Sequence, residues 1–226
     1  FCVPTASRNR DWISSTDSYL HAILLRSLDQ RFPNARITVY CGYDEDDKIF
    51  SQADERLKLN AIYPKFNIVW ISYESDPGNV VKIWNSLAKT AVKDGFEYIM
   101  ILGDDIKLPN DTAWLNLFIK NLKKQNNIGY SAGWSNNNDI ATQFLIHKTH
   151  LDIFDFVFPP QIKNWFCDNW MNEIYPKKLK YWRKDYPLLN VGGEPRYLPL
   201  NDRKLCDMLV RRYKPNLSGY LNSLNK

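Results

Sequence analysis

The stretch Glu97-Tyr-Ile-Met-Ile-Leu-Gly-Asp-Asp-Ile106 decides how the rest of the chain is read. From Glu97 to Leu102 it is β-forming and aliphatic, which suits a strand buried on both faces of a parallel sheet. Two carboxylates follow Gly103 at once. Charges are not left unpaired inside a sheet, so Asp104 and Asp105 are expected just beyond its edge. In open α/β sheets the carboxyl ends of the strands are where ligands bind. Adjacent residues of an extended chain point to opposite sides. One Asp is therefore expected to ligate a cation and the other to hold a hydroxyl or the loop. Oxygen ligands for a phosphate-bound cation suit Mg²⁺ or Mn²⁺.

Upstream, the pattern alternates. Phe1 to Thr5 reads as a strand, followed by the polar loop Thr5 to Arg10. Ser14 or Ser15 can cap a helix of about 16 residues with Tyr19, Ile23, Leu24 and Leu28 at helical spacing. Ala35 to Cys41 is a second strand, Gly42 to Asp47 an acidic loop, Ser51 to Asn60 a short helix, and Asn67 to Ser72 a third strand. Asp76-Pro-Gly-Asn79 opens a helix whose apolar face is Val80, Ile83, Trp84, Leu87, Ala88 and Ala91, stopped by Gly95. Alternation of this kind predicts a helix-flanked parallel sheet.

Downstream, the spacing predicts a helix over Asp111–Lys124 and a strand over Ile128–Ala132. A polar loop Gly133–Asp139, a strand Ala141–His147 and a short helix Thr149–Phe154 follow, then a helix over Trp165–Tyr175. Beyond Lys177 the pattern weakens to a strand at Leu179–Arg183, a loop at Asn190–Pro195 and a basic amphipathic helix near Asp202–Tyr213. Trp84 and Trp114 lie on helical apolar faces and belong to the core.

Composition sets the outer bounds. The chain has 226 residues, enough for one large domain with its own core. Its 44% hydrophobic and 24% charged content is that of an ordinary globular protein. A net charge of +5 with interspersed signs suits a small anionic ligand, not a nucleic-acid groove. Four widely spaced cysteines without a CxxC pair argue against zinc and for a reduced compartment, with Cys2 and Cys41 buried in strands. No apolar run is long enough to span a bilayer. The expectation is a soluble cytoplasmic domain, whether or not the chain continues beyond it.

A strand ending in two aspartates after a β-α-β half resembles the GT-A glycosyltransferases. That family uses an Asp-x-Asp motif, often reduced to x-Asp-Asp, to hold a divalent cation on a nucleotide-sugar. The motif here is Gly103-Asp104-Asp105, which departs from the full pattern at Gly103. The resemblance extends from Pro4-Thr-Ala-Ser-Arg8, similar to a first nucleotide-binding loop, to Asn164-Trp-Phe-Cys-Asp-Asn-Trp170, similar to a late acidic motif. With His150-Leu-Asp-Ile-Phe154, the late segment is also similar to small domains encoded by large algal DNA viruses.

The resemblance implies a Rossmann-like, mostly parallel central sheet with a smaller mixed sheet on the acceptor side. Residues 1–108 are then the nucleotide-sugar half and 109–226 the acceptor half of one domain. Thr5, Arg8, Asp44, Asn85 and Asp104 are the implied donor contacts. Asp105 is the implied metal ligand, with His147 as a late histidine ligand. Asp168 is the implied general base, a position that equally suits a helix cap. Trp134, Trp165 and Trp170 are the candidate acceptor contacts. Gly192-Gly193 with Arg196 reads either as a phosphate-contacting loop or as an ordinary turn.

The implied activity is metal-dependent transfer of a sugar from a UDP-sugar to a hydroxyl of a glycan or glycoprotein. Inversion follows if a carboxylate base serves a single displacement. Two other readings compete. A nucleotidyltransferase usually carries a glycine-rich loop early in the chain, and Pro4 to Arg8 has no glycine. A carbohydrate-binding module is suggested by eight Trp and thirteen Tyr, but such modules are mostly all-β.

Overall fold

Strand β4 (Tyr98–Ile101) sends successive side chains to opposite hydrophobic layers. Ile99 and Ile101 join one layer; Met100 and the following Leu102 join the other. That is the alternation of a strand covered on both faces, and it confirms the reading of the decisive stretch. The computed structural model describes residues 1–136 and 140–224.

The central sheet has seven strands in the order β3-β2-β1-β4-β7-β6-β8. They are β1 (Cys2–Pro4), β2 (Ile37–Asp44), β3 (Phe66–Tyr73), β4, β6 (Tyr130–Trp134), β7 (Phe144–His147) and β8 (Lys180–Pro187). Strands β3, β2, β1 and β4 run parallel. Strand β7 is antiparallel to both β4 and β6, and β8 is parallel to β6. A two-stranded antiparallel sheet pairs β5 (Ile106–Lys107) with β9 (Leu189–Asn190). The expected mostly parallel sheet is therefore present, and the smaller second sheet is antiparallel where a mixed one was expected.

Helix α3 (Val80–Lys93) packs on one face through Val81, Ile83, Leu87 and Ala88, in a layer shared with α6 (Cys167–Ile174) and α7 (Arg203–Ser223). The other face is covered by a π-helical turn (Leu20–Leu25) leading into α1 (Arg26–Arg31), with α2 (Ala53–Ile62) and α4 (Ala113–Lys124). Trp84 packs beside the first layer and Trp114 is fully buried in the second. The short helix α5 (Thr149–Phe154) follows β7.

Some elements differ from the sequence expectation. Gly42, Tyr43 and Asp44 are not loop; they extend β2, because its register with β3 runs unbroken to the pair Asp44 and Tyr73. Helix α7 continues past Tyr213 to Ser223 and contains Pro215. Pro215 lies on the exposed side, where water can satisfy the carbonyl that loses its donor. Trp134 and Gly133 belong to β6 instead of a polar loop, and residues 137–139 of that expected loop lie outside the described residues. All four cysteines are free and buried, and no described helix is long and apolar enough to cross a membrane.

Candidate functional site

Strands β1, β2 and β4 all end at one edge of the sheet, so the segments after them meet there. Thr5, just past β1, donates through Oγ1 to Asp104 Oδ2 at 2.7 Å. Ser7 gives its N–H and its hydroxyl to Asp47 at 2.6 and 2.9 Å. Asp47 also accepts the N–H groups of Ile49 and Phe50. This carboxylate, 1% exposed, fixes the loops after β1 and β2 to one another.

Arg8 fans across the ends of β2 and β3. It donates to Asp44 at 3.4 Å, to Asp46, and to Ser75 Oγ at 2.9 Å. Burial pushes the Asp44 carboxyl above its ordinary range, and Arg8 opposes that shift. Ser7, Arg8, Asp46, Asp47, Lys48, Pro77, Arg196 and Tyr197 line a cavity of about 560 Å³. Of the expected donor contacts, Arg8 lines this cavity, whereas Thr5 and Asp44 are buried, bonded to Asp104 and Arg8, and are not among its lining residues.

The two aspartates after β4 have different surroundings. Asp104 is fully buried and saturated: besides Thr5, Arg196 grips both of its oxygens, with Nη1 2.7 Å from Oδ2. Asp105 has no ion pair of its own among the described residues, and its side chain is hydrogen-bonded by Asn190. Burial, with Asp104 adding and Arg196 opposing, pushes its carboxyl up to about 6. Asp105 faces a cavity of about 580 Å³ that also meets Asp104, Gln143, Trp165, Asp168, Arg196 and Tyr197.

Helix α6 delivers Asp168 to the same cavity. Its cap residue Phe166 is left-handed, with φ 72°. A bulky side chain there costs about 1–3 kcal/mol, so packing must hold it. The turn places Asp168 in the first turn of α6, where Oδ1 accepts the N–H of Asn169 at 2.9 Å. Burial raises the Asp168 carboxyl above its ordinary range, the direction a proton acceptor near neutral pH requires.

Three expected assignments are corrected. His147 pairs with Tyr98 at the start of β4, whereas Asp105 lies beyond its end. The two are separated by about 20 Å of extended chain, and His147 Nδ1 is engaged by Thr149 Oγ1 at 2.7 Å, so it cannot share an ion with Asp105. Asn85 does not face the site. Its amide is spent on the backbone of Val157 and Phe158, accepting from both N–H groups at 2.9 Å and donating to the Phe158 carbonyl at 2.7 Å. Trp170 is fully buried against Phe154 and Phe156 and is core. Of the remaining tryptophans, Trp165 lines the cavity and is 45% exposed. Trp134 is half-buried at the end of β6 and does not line it.

Arg196 is the residue whose weight the sequence understated. It lies outside any predicted element, and its partners are 92 and 190 residues away in the chain. The only signal was its place after Gly192, Gly193 and Pro195.

No protein-family model and no curated protein matches this chain. Solved structures do match in shape. Residues 1–349 of S. aureus TarS in complex with UDP superpose with a TM-score of 0.56 at 16% identity, covering 94% of this chain and 62% of that one. The mannosyltransferase PcManGT from Pyrobaculum calidifontis, in complex with GDP-Man and Mn²⁺, gives 0.57 at 13% identity, covering 86% and 57%. The fold is that of the GT-A glycosyltransferases. The chain spans 35% of the length of TarS in another of its crystal structures. The similarity to algal-virus domains finds no counterpart among these neighbours.

A divalent cation fits the site in a limited way. Among the described residues no three His, Cys, Asp or Glu side chains converge to form a cage. Asp105 offers a carboxylate that faces a cavity and has no ion pair among the described residues, and Asp104 stands next to it. One or two carboxylates, completed by phosphate oxygens and water, form an ordinary site for Mg²⁺ or Mn²⁺ on a diphosphate.

Proposed function

We propose that this chain is a metal-dependent glycosyltransferase that takes its sugar from a nucleotide-sugar, a UDP-sugar in the first instance, and gives it to a hydroxyl of a glycan. The reading rests on one observation above all: Asp105 and Asp168 line the same cavity at the carboxyl edge of a GT-A sheet. The adjoining cavity around Ser7, Arg8 and Asp46 suits the nucleoside. Residues 1–108 therefore supply most of the donor site and 109–226 most of the acceptor site.

Each group has a separate task. Asp105 would hold a divalent cation, which when bound would supply charge stabilisation to the departing diphosphate. Asp168 takes the proton of the acceptor hydroxyl as that oxygen attacks the anomeric carbon. Attack from the face opposite the leaving group, in one displacement, inverts the anomeric centre. Trp165 offers an indole face on which a sugar ring can stack. The cavity brings donor and acceptor together at a fixed orientation, which contributes part of the rate.

The test is a screen of nucleotide-sugars with short glycan acceptors, measuring release of the nucleoside diphosphate in the presence of Mn²⁺. A glycosyltransferase releases diphosphate from one donor class, and Asp168→Asn lowers that release about 10²-fold or more while retaining donor binding. Binding that prefers a nucleoside triphosphate, with pyrophosphate as the product, contradicts the reading.

A further inference from the structure

Residues 191–200 form a strap across the cleft. Gly192 lies on Asp105 so closely that a Cβ there would be 2.4 Å from both Asp105 Cβ and Oδ2. Gly193 is left-handed, with φ +75°. Beyond them Arg196 reaches Asp104 and the carbonyl of Ala6, at 2.7 and 2.8 Å. Its guanidinium also stands 5.9 Å from the Trp12 ring centre and 5.6 Å from that of Tyr19.

The strap is otherwise tied by polar groups. Asn9 donates to the Arg196 carbonyl at 3.2 Å, and Arg10 donates to the carbonyls of Gly192 and Glu194. Asn164 binds Leu198 and Leu200 through their backbones. Leu198 itself is 80% exposed. Such contacts are readily exchanged for water, and little apolar burial holds the strap down.

Arg196 and Tyr197 line both cavities. A nucleotide-sugar has its diphosphate between nucleoside and sugar. If the nucleoside occupies one cavity and the sugar the other, the diphosphate passes the point where Arg196 meets Asp104. Two carboxylates and a diphosphate cannot share that point with a single arginine as their counter-charge.

We infer that Arg196 is an internal counter-ion that exchanges partners: it neutralises Asp104 in the empty site, yields that carboxylate when a divalent cation enters, and then pairs with the donor diphosphate. This rests on the glycosyltransferase reading and adds to it a competition between Arg196 and the metal. A planar guanidinium fork suits a carboxylate and a phosphate equally well. Gly192, Gly193 and the polar ties let the strap follow.

The experiment compares wild type with Arg196→Ala and Arg196→Lys, titrating Mn²⁺ alone and then UDP in saturating Mn²⁺. Exchange predicts that Arg196→Ala binds Mn²⁺ alone about tenfold more tightly, because its competitor is gone. It also predicts that UDP binds about tenfold more weakly, because a diphosphate contact is gone. Arg196→Lys, which keeps a charge and guards against misfolding, moves both constants the same way by less. In wild type, adding Mn²⁺ and UDP changes tryptophan emission, and Trp12→Phe abolishes most of that change. Unchanged constants in both variants, or Mn²⁺ and UDP weakened together, overturn the exchange while wild-type binding upholds the glycosyltransferase reading. Wild type that binds no UDP with Mn²⁺ overturns both.

Discussion

Asp47 and Asp105 stand in neighbouring loops of the same cleft, and their carboxylates are treated in opposite ways. Asp47 is almost fully buried and accepts four hydrogen bonds, from Ser7, Ile49 and Phe50. Asp105 is hydrogen-bonded by Asn190, lies against a fully buried Asp104, and is pushed up to about 6. The first carboxylate is satisfied by the protein and holds two loops in place. The second has no ion pair among the described residues and faces a cavity that a ligand can fill. A carboxylate in a cleft whose pKa is raised by burial is a candidate for ligand binding.

The sharpest way to break this comparison is to neutralise each carboxylate. Asp105→Asn is expected to lower transfer about 10³-fold, the scale of removing one charge-stabilising group. Its thermal unfolding should be unchanged or raised, since a poorly compensated charge disappears. A destabilised Asp105→Asn with intact transfer would put Asp105 in the same class as Asp47. Asp168→Asn comes next, with turnover lowered about 10²-fold or more and UDP affinity kept. Weaker UDP binding in that variant would assign Asp168 to the donor instead of the acceptor.

On the structural side, Asp47→Ala strands three buried N–H groups and should cost about 3 kcal/mol in urea unfolding. His150 belongs to the satisfied kind as well. Its ring is buried, 2.7 Å from the Tyr175 hydroxyl and 3.0 Å from the Val157 carbonyl. Burial pulls its pKa down to about 4. Between that value and the unfolded pKa of about 6.5, only the unfolded chain takes up a proton. Stability is therefore full above about pH 6.5 and falls with pH, by about 2 kcal/mol at pH 5. Urea unfolding at the two pH values checks this, and the increment should vanish in His150→Gln. The smallest expected effect is that of His147→Ala on metal dependence. The Mn²⁺ requirement for UDP binding should not move, because His147 is at the far end of β4.

The sheet was legible because its strands and helices are local patterns. The run Tyr98 to Leu102 and the face Val80 to Ala91 each state their own burial. The positions of Asp105 and Asp168 on one cavity were legible because each follows a pattern break: a strand end in one case, a helix start in the other. His147 was misplaced because a strand's direction is not written in it. Strand β7 runs antiparallel to β4, which carries its last residue to the wrong end of the sheet. Asn85 and Trp170 were misread because a polar or aromatic side chain on a helix looks the same whether it meets a ligand or another part of the chain. Arg196 was underweighted because its ion pair with Asp104 joins two loops, and no periodicity reports on that.

The central claim is that Asp105 holds a divalent cation against the diphosphate of a nucleotide-sugar. Calorimetric titration of UDP into wild type and Asp105→Asn, with and without Mn²⁺, tests it most directly. The account predicts binding to wild type only when Mn²⁺ is present, and none to Asp105→Asn in either case. UDP binding that is equally tight without the metal, or that survives in Asp105→Asn, would contradict it.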